Sequence, residues 1–143
     1  MTPENRYAVD ITVESRYVEE QSAPMDGVFA FAYTITITNR GTVGTQLISR
    51  HWIIQDDTGE RREVKGLGVV GHQPLLKPGE SFQYTSGSQL PTPGGTMQGS
   101  YFFVAEDGAR FDAEIPSFPL NMSRTLHLGT TGTCRTARTP LGR

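Results

Sequence analysis

From Phe29 to Ile37 the chain alternates with a period of two: Phe29, Phe31, Tyr33, Ile35 and Ile37 fall on one face, and Ala30, Ala32, Thr34 and Thr36 on the other. Successive side chains of an extended strand point to opposite faces, so a strand gathers the five large residues on one surface, where a helix would scatter them around its circumference. Aromatic and β-branched side chains also favour the pleated surface. The period recurs earlier, with Tyr7, Val9, Ile11, Val13 and Tyr17 on one face and Asp10, Thr12 and Glu14 on the other. Two half-apolar strands cannot bury themselves, so a second layer must cover them.

The remaining segments supply that layer. A third strand is expected over residues 46–55, with Ile48, Trp52 and Ile54 turned to the core and Leu47 and Ile53 leaving the opposite face partly apolar. Asp57-Thr58-Gly59 turns the chain, and residues 61–64 return beside it as a short partner. Lys77-Pro78-Gly79-Glu80 has type II turn chemistry, proline presetting φ and glycine accepting φ > 0. A strand over residues 81–85 follows, with Phe82 and Tyr84 on one face. Residues 99–104 and 110–115 form the last hairpin across Glu106-Asp107-Gly108. Residues 19–27 and 90–95 read as loops. No segment carries a sustained 3.6-residue apolar stripe, so the expected fold is all-β: an immunoglobulin/fibronectin type III-like β-sandwich of about seven antiparallel strands, with a closed barrel as the alternative.

A chain of 143 residues suits one domain with a self-sufficient core. The single cysteine, Cys134, cannot bridge internally, and the N-terminal MTPENRYAV lacks the apolar stretch of a secretory signal, so a cytoplasmic location is expected. No run reaches the roughly eighteen apolar residues of a membrane helix. Residues 125–143 hold Arg135, Arg138 and Arg143 and no acid, which leaves residues 1–124 with ten basic against fifteen acidic side chains. That body does not suit nucleic acid, which needs a basic face. The threonine- and glycine-rich residues 128–143 read as a disordered tail on a domain spanning residues 1–127.

Gly66-Leu67-Gly68-Val69-Val70-Gly71 matches the glycine spacing of a dinucleotide-binding loop. That loop needs a helix opening within it and an acidic residue about twenty positions on, yet Pro74, Pro78 and Gly79 exclude the helix and no acid lies between Glu80 and Glu106. The amides of Gly66, Gly68 and Gly71, with Lys65 and the neighbouring Arg61, Arg62 and His72, remain a candidate anion nest. The competing reading is that the glycines permit a bulge and close packing. No nucleophile elbow or paired-histidine metal motif occurs, and His51, His72 and His127 are widely spaced, so neither catalytic residues nor a bound cofactor or metal is expected. Asp56, Asp57 and Glu60 suit a solvated turn better than a cation site, and Asp112 and Glu114 the wet face of an edge strand better than an acid–base pair.

His51-Trp52-Ile53-Ile54, Asp56, Gly59, Val64-Lys65-Gly66-Leu67-Gly68-Val69-Val70-Gly71, Pro74, Pro78-Gly79-Glu80, Tyr84-Thr85-Ser86-Gly87, Gly94, Met97 and Gly99-Ser100-Tyr101 occur in one order that resembles the ApaG (CorD) family. Pro116-Ser117-Phe118-Pro119-Leu120 resembles its closing segment, so the likeness covers about residues 5–127. It implies a fibronectin type III-like sandwich and a genetic association with cobalt resistance, magnesium efflux and diadenosine tetraphosphate metabolism. Similar domains in F-box proteins and a polymerase-interacting protein imply protein recognition, and no catalytic residues carry over. The expected activity is therefore non-enzymatic binding of a protein partner by strand addition at a sheet edge, the glycine loop being the candidate surface, with Trp52 and Tyr84 near it in pattern but expected in the core. The alternative is a sensor for a phosphate-containing nucleotide or a divalent metal.

Overall fold

The computed structural model describes residues 6–122, so the expected tail at 128–143, with Cys134, and His127 lie outside the described residues. Eight strands follow in order: β1 (Val9–Tyr17), β2 (Phe29–Asn39), β3 (Thr45–Asp56), β4 (Arg61–Leu67), β5 (Leu75–Leu76), β6 (Ser81–Leu90), β7 (Gly94–Ala105) and β8 (Arg110–Asn121). Two short 3-10 turns, Glu19–Gln21 and Pro24–Asp26, interrupt the loop between β1 and β2. One sheet has the order β1-β2-β6 and the other β4-β3-β7-β8, with β5 also paired to β3. Every pairing is antiparallel. The fold is the expected two-layer sandwich, with a two-residue eighth strand added.

Phe29, Phe31, Tyr33, Ile35 and Ile37 are all buried on the inner face of β2, against Trp52, Met97, Tyr101 and Phe103 of the other layer. β3 departs from the expected phase. Leu47 pairs with Phe103 while Ser49 pairs with Phe102, so Ile48 is an extra residue in a β-bulge. An insertion of one residue swaps the two faces of a strand. Leu47 therefore enters the core with no exposure, Ile48 leaves it, and the inward set becomes Arg50, Trp52, Ile54 and Asp56 after the bulge. β8 does the same: Ile115 pairs with Gly99 and Phe118 with Met97, so Pro116 and Ser117 together face Gln98. Its buried residues shift from odd to even numbers there.

Four expected strands prove too short. The strand expected at 81–85 runs to Leu90, that at 61–64 to Leu67, that at 110–115 to Asn121, and that at 99–104 begins at Gly94, inside the stretch expected to be a loop. Each missed segment holds glycine, serine or proline, whose low strand propensity is offset by pairing with a neighbour across the sheet.

The two long edges of the sandwich differ. On one side β1 lies beside β8, and the Ser15 hydroxyl donates to the Pro119 carbonyl at 3.1 Å. On the other side β6 and β4 end their sheets. There the direct bond between them is that from Arg62 Nη2 to the Gln89 carbonyl, at 3.1 Å. Among the described residues no helix is long and apolar enough to cross a membrane.

Candidate functional site

The gap between β6 and β4 opens into a cleft of about 530 Å³. Phe31, Tyr33, Trp52, Ile54 and Met97 form its apolar floor, while Arg50 and Arg62 stand on the β3–β4 wall. Arg50 is there because the bulge at Ile48 puts it in the inward phase of β3. Its Nη1 donates to the carbonyls of Leu67 at 3.0 Å and Gly68 at 2.9 Å. Among the described residues neither arginine has a carboxylate within ion-pair distance.

Behind the cleft lies a buried hydroxyl cluster. The hydroxyls of Tyr84 and Tyr101 are hydrogen-bonded to each other, and Tyr33 bonds to Ser86. Burial pushes all three phenols above the ordinary tyrosine value. They stay neutral at any ordinary pH and so offer the arginines no counter-charge. Trp52 and Tyr84 are both core residues, and Trp52 contributes to the site only through the cleft floor.

The glycine motif is built into the same wall. Gly66 pairs with Arg50 on β4, and a Cβ there would stand 2.7 Å from Nη2 and 2.8 Å from Cζ of the guanidinium. Gly68 has φ +66, and its Cβ would collide with the His72 carbonyl oxygen. Val69 and His72 exchange backbone bonds of 2.8 and 2.9 Å around Val70 and Gly71, whose φ values are +40 and +84. Two positive-φ residues inside a reciprocal bond pair make a tight hairpin of type I′ character. Valine rarely adopts that conformation, and here it holds an apolar side chain out at the turn tip. The amides of Gly68, Val69 and His72 are all engaged within the protein, that of Gly68 by the Ile48 carbonyl. Lys65 lies on β4 opposite His51, at a shallow depression of about 510 Å³ on the outer face of the sheet that Asp112 also lines.

Replacing Gly68 with alanine is expected to cost about 2 kcal/mol, since strained φ and a blocked approach act together. Thermal unfolding checks this with and without ATP. Equal losses in both conditions mark a backbone role, whereas a stable variant that no longer responds to ATP would mark a phosphate cradle.

The other sequence candidates are separated. The Asp56 carboxylate accepts from the Thr58 hydroxyl and from the Thr58 and Glu60 amides. The Thr58 hydroxyl foremost holds its carboxyl below the usual range, so it organises the β3–β4 turn. Asp57 donates its amide to Thr92, and Glu60 accepts from the Asp56 amide through its carbonyl. His51 Nε2 lies 3.5 Å from Glu63, while His72 packs against Phe82 with ring centroids 5.7 Å apart. Asp112 and Glu114 are exposed on β8. Arg50 escaped the reading of function, although its place between Ile48 and Trp52 in an inward-reading strand was a signal: a charge in an apolar phase needs a reason.

The ApaG domain family model matches residues 19–105. Protein ApaG of Thiobacillus denitrificans is 60% identical over 127 residues, covering 89% of this chain and 100% of the relative. Protein ApaG of Ralstonia nicotianae is 59% identical over 123 residues, covering 86% and 99%. The crystal structure of the putative ApaA protein from Bordetella pertussis superposes with a TM-score of 0.82 at 54% identity, covering 85% of this chain and 98% of that one.

Proposed function

The chain belongs to the ApaG domain family, and on that premise we propose that it is a non-enzymatic binding module whose ligand is another protein. The observation that carries this reading is a strip of uncovered apolar side chains: Leu67 is 75% exposed, Val70 51% and Leu75 46%. They come from β4, the tight turn and β5, three consecutive pieces along one side of β3. Leu67 stands opposite Ser49 and Leu75 opposite Gln46, so the strip spans about 10 Å of β3 at the rise of an extended strand. Single exposed apolar residues are ordinary on a protein surface, but three on consecutive pieces of one sheet edge mark a contact surface. In a family associated with cobalt resistance and magnesium efflux, such a module would act through the protein it holds.

The test compares the full chain with a Leu67→Ser, Val70→Asn variant in affinity capture from cytoplasmic extract, read by mass spectrometry. Asparagine tolerates the left-handed backbone at position 70, so the variant is expected to fold. A defined protein captured by the unmodified chain and lost from the variant is the expected result. The competing reading, a sensor for a phosphate-containing nucleotide or a divalent metal, requires instead that diadenosine tetraphosphate, cobalt or magnesium raise the melting temperature by mass action. Such a rise with no captured protein would overturn the proposal.

A further inference from the structure

We infer that the open edge of β6 takes up an extended acidic segment of a partner protein, laid between β6 and β4 over the cleft with its carboxylates on Arg50 and Arg62. The inference rests on the protein-binding reading and adds to the apolar strip a second contact, on the cleft side of β4, with its own chemistry.

The four long edges of the two sheets are not equally open. β8 carries Pro116 and Pro119 and a bulge, each of which prevents regular pairing, and β1 abuts it. β4 carries Arg61, Arg62, Glu63 and Lys65 in seven residues. β6, with the sequence SFQYTSGSQL, is ten residues long and has no charge and no proline. Edges without such devices accept another strand, and the other three each have one.

The backbone of β6 is also in the right phase. The Asn39 amide donates to the Glu80 carbonyl, so even-numbered residues of β6 direct their backbone groups to β2. The odd-numbered ones face the gap, as the bond from Arg62 to the Gln89 carbonyl shows. Ser81, Gln83, Thr85 and Gly87 thus present a row of donors and acceptors at the open edge. An added strand there has alternate side chains over the apolar floor of Phe31, Tyr33, Trp52, Ile54 and Met97.

Charge decides the partner's chemistry. The cleft is lined by Arg50 and Arg62 and by no carboxylate, and neither arginine has a carboxylate partner among the described residues. A carboxylate meets a guanidinium through parallel, charge-assisted bonds. The chain's own residues 125–143, with three arginines and no acid, have the wrong sign to fill the gap.

The probes are two ten-residue peptides, one alternating valine with glutamate and one alternating valine with lysine, titrated into the full chain and followed by amide chemical shifts. The glutamate peptide is expected to shift the amides of Ser81, Gln83, Thr85 and Gly87, and the lysine peptide to bind at least tenfold more weakly. Arg62→Glu, on an exposed strand, is expected to weaken the glutamate peptide about tenfold without lowering the melting temperature. Thr85→Pro, which removes one outward amide, should abolish the β6 shifts. Equal binding of both peptides, shifts confined to other elements, or no binding at all would overturn the inference. If both variants still capture the protein partner of the preceding test, the binding-module reading stands and this edge is not its site. If the unmodified chain captures none, it is that reading which fails.

Discussion

Trp52→Ala is expected to cost the fold about 3–5 kcal/mol, the range for emptying a buried tryptophan site. The side chain is 3% exposed and packs edge-on against Tyr33, Tyr101 and Phe118, with ring centroids 5.5, 6.4 and 6.0 Å away. Those three rings come from β2, β7 and β8, so the indole joins the two layers. Edge-to-face pairs add roughly 0.5–1.5 kcal/mol each beyond the area they bury. Because the chain has one tryptophan, fluorescence loses its probe and the measurement is urea unfolding followed by circular dichroism. At a slope of about 1–3 kcal/mol per molar the midpoint should fall by roughly 2 M. Trp52→Phe should lose less than half as much. A loss below about 1 kcal/mol for the alanine variant would show that the cleft floor closes over the vacancy and that Trp52 is not the anchor between layers.

Gly99→Ala is expected to cost about 3 kcal/mol, from adding a single methyl group. Gly99 pairs with Trp52 on one side and Ile115 on the other, in the middle of the larger sheet and beside the β8 bulge. A Cβ there would collide with the His51 carbonyl oxygen and stand 3.1 Å from Trp52 Cα. Both obstacles are backbone of the neighbouring strand, held by its own ladder, and overpacking of that kind is relieved only by moving the sheet. Gly108→Ala is the control: φ is +92 but nothing lies within 4 Å, so the cost should be near 1 kcal/mol. Differential scanning calorimetry reads both, with the Gly99 variant expected to melt about 8 °C below the unmodified chain and the Gly108 variant about 3 °C below. Equal shifts would mean that β3 yields to the added methyl group and that its close approach does not demand glycine at position 99.

The glycine loop shows how a motif can be legible as spacing and still leave its meaning to the fold. Gly66-Leu67-Gly68-Val69-Val70-Gly71 is visible at once, and the prolines that follow already exclude the helix that a dinucleotide needs. What the glycines do instead depends on the folded chain: Gly66 leaves room for the Arg50 guanidinium, Gly68 for the carbonyl of His72, and Gly71 takes the left-handed backbone of the tight turn. The candidate site was less legible than the fold. Phe31, Tyr33, Trp52 and Ile54 of its floor are expected in the core from the sequence, but Met97 and Arg50 are not, nor is the second half of β6, with Ser86, Gly87 and Ser88, expected as strand. Those small polar residues have no propensity that marks a strand, and only pairing with Phe31, Ala32 and Tyr33 extends them.

By itself the sequence determined the class of fold, because period-two alternation and turn chemistry are local: each strand's inner face is set by its own side chains, and each tight turn by a glycine or proline within it. Tertiary structure alone decided the phase of β3 and β8, which strands end their sheets, and which of those edges is left uncovered. A bulge arises when one strand must match another of different local length, and an edge is open or closed according to what lies beside it in space. Both are relations between segments tens of residues apart, and no window along the chain contains them.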